Sequence, residues 1–292
     1  MKKAYSVLLV VITMVTFYSC SSDTKSEPML IIKFQFDPNQ ARLNNLGQPS
    51  TVAAGNAAQS PVFNLISSHY VEMAPNANTL LGNGTILYHA PETTLGGSNA
   101  IDFSQSKIVS QGETFLKIPL SQVATGSYEW MRVSLSYQNY QINVRAANGN
   151  DYEGTLASFV GFNTYITTFD VDNTTFPVNG NRAQGYWAFA LNDYPYSTSG
   201  QALAGATTVP NPIELTSPIP RNLNSCVVTG RFASNLVIDG TETNDVVITL
   251  SLSINNSFEW HEQGTPDGKY EPSAGENVVD MGLRGLVPTY VK

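Results

Sequence analysis

Hydrophobic and polar positions alternate along this chain with a period of two, in short runs broken by Gly, Pro and Asn. That period places successive side chains on opposite faces of a strand, whereas a helix repeats its apolar positions three and four apart. Met29–Phe36 is the clearest case, and Asp37-Pro38 stops it. Further strands are predicted over Val62–Met73, Gly84–His89, Phe115–Ile118, Tyr128–Val144, Leu156–Phe169, Gly185–Phe189, Ser225–Ile238 and Val246–Ile254. Within Tyr128–Val144 the apolar Met131, Val133, Leu135 and Tyr137 alternate with Arg132, Ser134 and Ser136, which predicts one dry and one wet face. About ten strands, frequent turns and few helices predict an all-β fold, an antiparallel β-sandwich.

Two segments depart from the pattern. Lys2 and Lys3 precede the apolar run Ala4–Phe17, and after Cys20 the chain turns polar through Glu27. At ~1.5 Å per residue that run spans about 21 Å as a helix, short of the ~30 Å hydrocarbon core of a bilayer. A cleaved export signal over 1–19 is therefore expected, with a flexible tether over 20–28. The second departure, 192–224, carries Pro195, Pro210, Pro212, Pro218 and Pro220. Proline cannot donate to a strand ladder, so this reads as a long loop inside a single β-rich domain, 29–292.

Composition narrows the partners. The formal net charge is −8, which argues against nucleic acid, since that needs a basic face. Charged residues make up 13% of the chain against roughly 25% in typical globular proteins, so Asn, Gln, Ser and Thr must build the surface. Of the two cysteines, Cys226 precedes Val227-Val228 and is expected to be a buried, inert strand residue.

Candidate chemistry is sparse. Asp267, Glu271, Glu276 and Asp280 lie in a Gly-containing segment where carboxylates and carbonyls could gather calcium, which takes six to eight oxygens. The competing reading is a plain turn at Asp267-Gly268 with a solvated acidic rim. His69, His89 and His261 each neighbour an aromatic residue, and a copper or zinc site would need the fold to bring them together; the competing reading is three isolated surface or strand-edge histidines. On a regular strand His69 and Tyr70 are expected on opposite faces. No Gly-x-Ser-x-Gly, His-Glu-x-x-His, phosphate-loop or dinucleotide signature occurs, so catalysis is not the leading expectation. Glu129 and Glu259, each beside a tryptophan, are the candidates for a secreted carboxylate-dependent glycoside hydrolase. The aromatics also allow a sugar-stacking surface, although sheet packing explains most of them.

Two resemblances add to this reading. Residues 1–27 resemble the bacterial lipoprotein class: Ser19-Cys20 matches its lipobox, while Phe17 and Tyr18 depart from its usual Leu-Ala. That resemblance implies acylation of Cys20 (thioether lipid and palmitate), a partner membrane reached through acyl chains, and residence in the cell envelope, at the outer membrane. The strand Ile31–Asp37, the Pro119–Arg132 stretch and Gly185-Tyr186-Trp187 are similar to the methanobactin-partner (MbnP-like) β-sandwich proteins. That likeness implies copper bound through histidines and a modified tryptophan, here Trp187. The family's early aspartate-histidine pair is absent, because Pro38 follows Asp37. The leading expectation is thus a non-catalytic envelope lipoprotein, a binding or structural module that captures a ligand or metal, calcium before copper, with the Asp267–Asp280 segment as its site.

Overall fold

In a computed structural model the chain is all-β, and residues 27–202, 226–281 and 283–292 are described. The signal segment, Cys20 and positions 203–224 of the proline-rich stretch lie outside the described residues. The first half contributes β1 (Met29–Asp37), β2 (Asn56–Gln59), β3 (Val62–Ala74), β4 (Thr85–His89), β5 (Glu92–Thr93), β6 (Ala100–Asp102), β7 (Ile108–Val109), β8 (Thr114–Pro119) and β9 (Gly126–Arg145). Beyond it come β10 (Asp151–Phe159), β11 (Asn163–Val171), β12 (Thr174–Ala183), β13 (Tyr186–Leu191) and β14 (Ser197–Gln201). The chain ends with β15 (Cys226–Ile238), β16 (Val246–Ser253), β17 (Phe258–His261), β18 (Asn277–Asp280) and β19 (Arg284–Val291). Among the described residues only short 3-10 turns interrupt them.

A central sheet runs β14-β13-β10-β9-β3-β4, with β15 also on β9 and β7 on β3. Three smaller sheets flank it: β19-β16-β1-β8, β12-β11-β6-β5 and β18-β17-β2. Every ladder is antiparallel except β1–β16 and β6–β11. The first of these joins the opening strand to a late one, residue for residue from Leu30↔Val246 to Asp37↔Ser253.

Alternation decides what faces what. Leu30, Ile32, Phe34 and Phe36 of β1 meet Met131, Val133 and Leu135 of β9 and Val228 and Phe232 of β15 in the largest apolar cluster. Phe34 and Phe115 meet edge-on at 5.1 Å within it. Farther along β9 the chain serves two other cores. Tyr137 joins Phe159 and Phe169, while Tyr140, Ile142 and Val144 join Phe258 and Trp260. Full burial of an aromatic or aliphatic side chain of this kind contributes about 1.5–3 kcal/mol. Cys226 lies buried at the start of β15, as expected, and burial pushes its thiol up to about 12.

Three sequence expectations are corrected here. Arg132, Ser134 and Ser136 do not form a wet face; all three are buried. Gly161 packs against Ser136, and the Gly82–Gly84 turn closes over Glu72, which faces Arg132 at 3.6 Å with both side chains wholly buried. The Leu156–Phe169 run is two strands, because Val160 and Gly161 turn the chain and donate to Ser136 O. Strands β12, β14, β17, β18 and β19 lacked a legible pattern: β12 holds Pro177 and Gly180, and β19 holds Pro288.

Candidate metal centre

A slip in strand pairing builds the site. Along β3 and β9, Ser67 opposes Tyr137, Ser68 opposes Leu135 and Tyr70 opposes Ser134, so His69 is left over. Such a bulge bends the strand and re-aims the side chain it carries. The expected opposite-face arrangement of His69 and Tyr70 is thereby overturned. Both rings lie against His89, with centroids 4.7 Å (His69) and 6.4 Å (Tyr70) away.

His89 ends β4 opposite Tyr70. Ala90 N–H then donates to His69 O at 2.7 Å, and Pro91 keeps the residue before it extended. This short path carries the chain from the central sheet into β5, where Glu92 pairs with Ile101 of β6. Glu92 therefore reaches back over the two imidazoles from a different sheet.

The resulting group is compact: one nitrogen of each histidine and one Glu92 oxygen all lie within 4.8 Å of one another. His69 Nε2 is 2.8 Å from Glu92 Oε1, and His89 Nε2 is 3.7 Å from the same oxygen. Ligands at ~2.0–2.2 Å around a tetrahedral zinc stand about 3.3 Å apart, between those two separations. His89 Nδ1 is 3.0 Å from Ala90 O and donates to that carbonyl, so Nε2 is the nitrogen turned towards Glu92. Burial lowers the His69 pKa more than the Glu92 hydrogen bond raises it, so this imidazole is held neutral. The hydrogen bond from His69, opposed by burial and helped by Asn99, holds Glu92 below the usual glutamate range. Asn99 Nδ2 donates to Glu92 Oε2 at 2.6 Å, and Asn163 Nδ2 in turn donates to Asn99 O at 2.8 Å. The Phe162 ring backs His69 at 5.0 Å. Two imidazoles and one carboxylate, with His89 and Glu92 held by second partners and the group open at the His89 side, suit zinc or copper rather than calcium.

The other sequence candidates are placed elsewhere. His261 is exposed at the end of β17, 3.3 Å from Asn56 Oδ1, and Trp187 packs over Gly200 on β14. Neither joins His69 and His89. Among the four candidate calcium ligands, Asp267 pairs with Arg145 at 2.7 Å and Glu271 lies 3.9 Å from the same guanidinium. Asp280 pairs with Arg284 and lies 3.8 Å from Arg42, while Glu276 accepts from Glu271 N–H and Gln263 N–H. These carboxylates do not converge, and among the described residues the only metal-competent group of three is His69, His89 and Glu92. Glu129 pairs with Arg231 at 2.7 Å. Glu259 accepts from Arg42, Asn56 Nδ2 and Ala53 N–H. Burial pushes the Glu259 carboxyl up, but those three donors outweigh it and hold it down, the opposite of what a general acid needs.

Glu92 was not among the sequence candidates. Its signal is the spacing His89-Ala90-Pro91-Glu92, in which a proline turn returns a carboxylate to the histidine three residues earlier. No family model, no curated protein and no solved structure matches this chain.

Proposed function

We propose that this protein is a non-catalytic metal-binding module of the cell envelope that holds a zinc or copper ion on His69, His89 and Glu92. The observation that carries this reading is the convergence of two imidazole nitrogens and one carboxylate oxygen from three strands, with second partners already fixing Glu92 and His89. A fourth position is left for water or a ligand atom on the exposed side, next to His89. The lipobox at Cys20 supports attachment to a membrane by acyl chains, where several chains act together at ~0.8 kcal/mol per buried methylene. Among the described residues no helix is long and apolar enough to cross a membrane.

Calorimetric titration of the metal-stripped protein with Zn²⁺ and Cu²⁺ tests the site. One equivalent is expected to bind, with loss in His89→Ala and Glu92→Gln and retention in His261→Ala. Absence of stoichiometric binding, or binding that survives both substitutions, would overturn the assignment. The mass of the mature N-terminus tests the anchor: an acylated Cys20 is expected, and a chain starting at Met1 excludes it.

A further inference from the structure

A second candidate site shares no lining residue with the histidine group. It is a cleft of about 790 Å³ between the face of β9, β10, β13 and β14 and the 258–281 segment. Its depth is apolar, formed by Ile142, Leu156, Phe189, Phe258 and Met281. Its upper walls are aromatic. Trp187 is half-buried, and its indole packs over Gly200, where an added Cβ would stand 2.8 Å from the ring. Only glycine lets the indole settle against that strand, which presents the ring to the cleft as a fixed wall. Tyr194 and Tyr196 are 57% and 52% exposed, large aromatic surfaces left in water on the 192–196 turn. Tyr152 meets Tyr194 at 6.0 Å and lines the same mouth.

Charge decides the class of occupant. Arg145 and Glu276 are the two charged residues of the lining. Arg145 is held by Asp151 at 2.8 Å and by Asp267 at 2.7 Å. Glu276 is buried and turned to backbone N–H groups of Glu271 and Gln263. No charge is left for an anionic or cationic ligand to neutralise. Asn148, Gln201 and Asn277 each give one amide N–H to Tyr152 Oη, Gln184 O and Gly275 O, and with Thr198 and the tyrosine hydroxyls they keep further neutral donor and acceptor capacity. A purely greasy occupant would bury that remaining capacity unmatched, which is costly. A ligand with flat C–H faces for the rings and hydroxyls around its edge satisfies both sets, and the volume falls within the ~300–1,000 Å³ of small-molecule sites.

We propose that this cleft binds a neutral oligosaccharide, stacked on Trp187 and on Tyr194 and Tyr196. The test is a titration of the purified full-length chain with neutral gluco-, xylo-, manno- and galacto-oligosaccharides, followed by tryptophan fluorescence and calorimetry. At least one series is expected to bind saturably and to change the fluorescence. Trp187→Ala should weaken it about tenfold, the upper end for one aromatic contact. Tyr194→Ala and Tyr196→Ala, at exposed positions, should each weaken it about threefold without touching the unfolding midpoint. Zn²⁺ binding by Trp187→Ala should stay at the parental value, which separates this site from the metal centre. The proposal is overturned by no saturable binding of any series, by binding indifferent to all three substitutions, or by a fatty acid competing for the cleft while sugars do not.

Discussion

Two polar clusters in this molecule each centre on a glutamate and differ in the partners that meet it. Around Glu259 and Asp280, every carboxylate has found a cation or a backbone donor of its own: Arg42, Arg284, and the Ala53 N–H. Around Glu92, no arginine or lysine pairs with the carboxylate among the described residues, and two imidazoles face it instead. The first arrangement is saturated and holds the fold together. In the second, Glu92 is met by His69, by Asn99 and, at 3.7 Å, by His89, and imidazoles are metal ligands where guanidinium groups are not. What separates a structural ionic network from a ligand site here is the supply of cations, not the number of acids.

The comparison can be broken from either side. Removing a charge from the saturated cluster has the largest expected effect on folding. Glu259→Gln leaves Arg42 buried with only the more distant Asp280, and should cost about 3 kcal/mol in chemical denaturation. In the open cluster the effect moves from stability to binding. His89→Ala, at a half-exposed ring, should leave the denaturation midpoint nearly unchanged and abolish stoichiometric Zn²⁺ uptake in calorimetry. Zinc at a hundredfold excess over its Kd should stabilise the parent protein by about 2.7 kcal/mol, with chelator reversing the shift and calcium producing none. Asn99→Ala removes the donor behind Glu92, and a tenfold or larger loss of metal affinity is expected.

A smaller effect distinguishes two buried glutamates through pH. Glu259 is held below its ordinary pKa, so its contribution is present above about pH 4.3 and is lost as pH falls through the depressed value. Glu276 is pushed up, first by burial and then by Glu262, so the stability linked to it is present at acid pH and lost as pH rises through the raised value. Glu276→Gln should therefore flatten the upper part of the stability profile, and Glu259→Gln the lower part. Smallest of all is the surface group of Arg145, Asp151, Asp267 and Lys269, where Asp267→Asn should leave the melting temperature within measurement error.

Much of the scaffold was legible beforehand, and for one reason. Where a strand buries a single face, hydrophobicity repeats every second residue, as in Leu30, Ile32, Phe34 and Phe36. Where both faces are covered, the code fails. Arg132, Ser134 and Ser136 look like solvent positions, yet neighbouring turns close over them. The late strands failed for another reason: β17, β18 and β19 draw their stability from partners such as β2 and β16, which local propensity does not record.

The chain's own alternation determined the all-β class, the places of most long strands and the burial of Cys226. The tertiary structure alone decided which chemistry those strands carry. A bulge at His69 and a proline turn before Glu92 are local events whose outcome depends on the register of strands distant in sequence. The acidic segment was conspicuous as a string of letters, but Asp267 pairs with Arg145, Asp280 with Arg284, and Glu276 turns to backbone N–H groups. Two histidines and an inconspicuous glutamate became a site because pairing between separate strands set their distances, which no local pattern encodes.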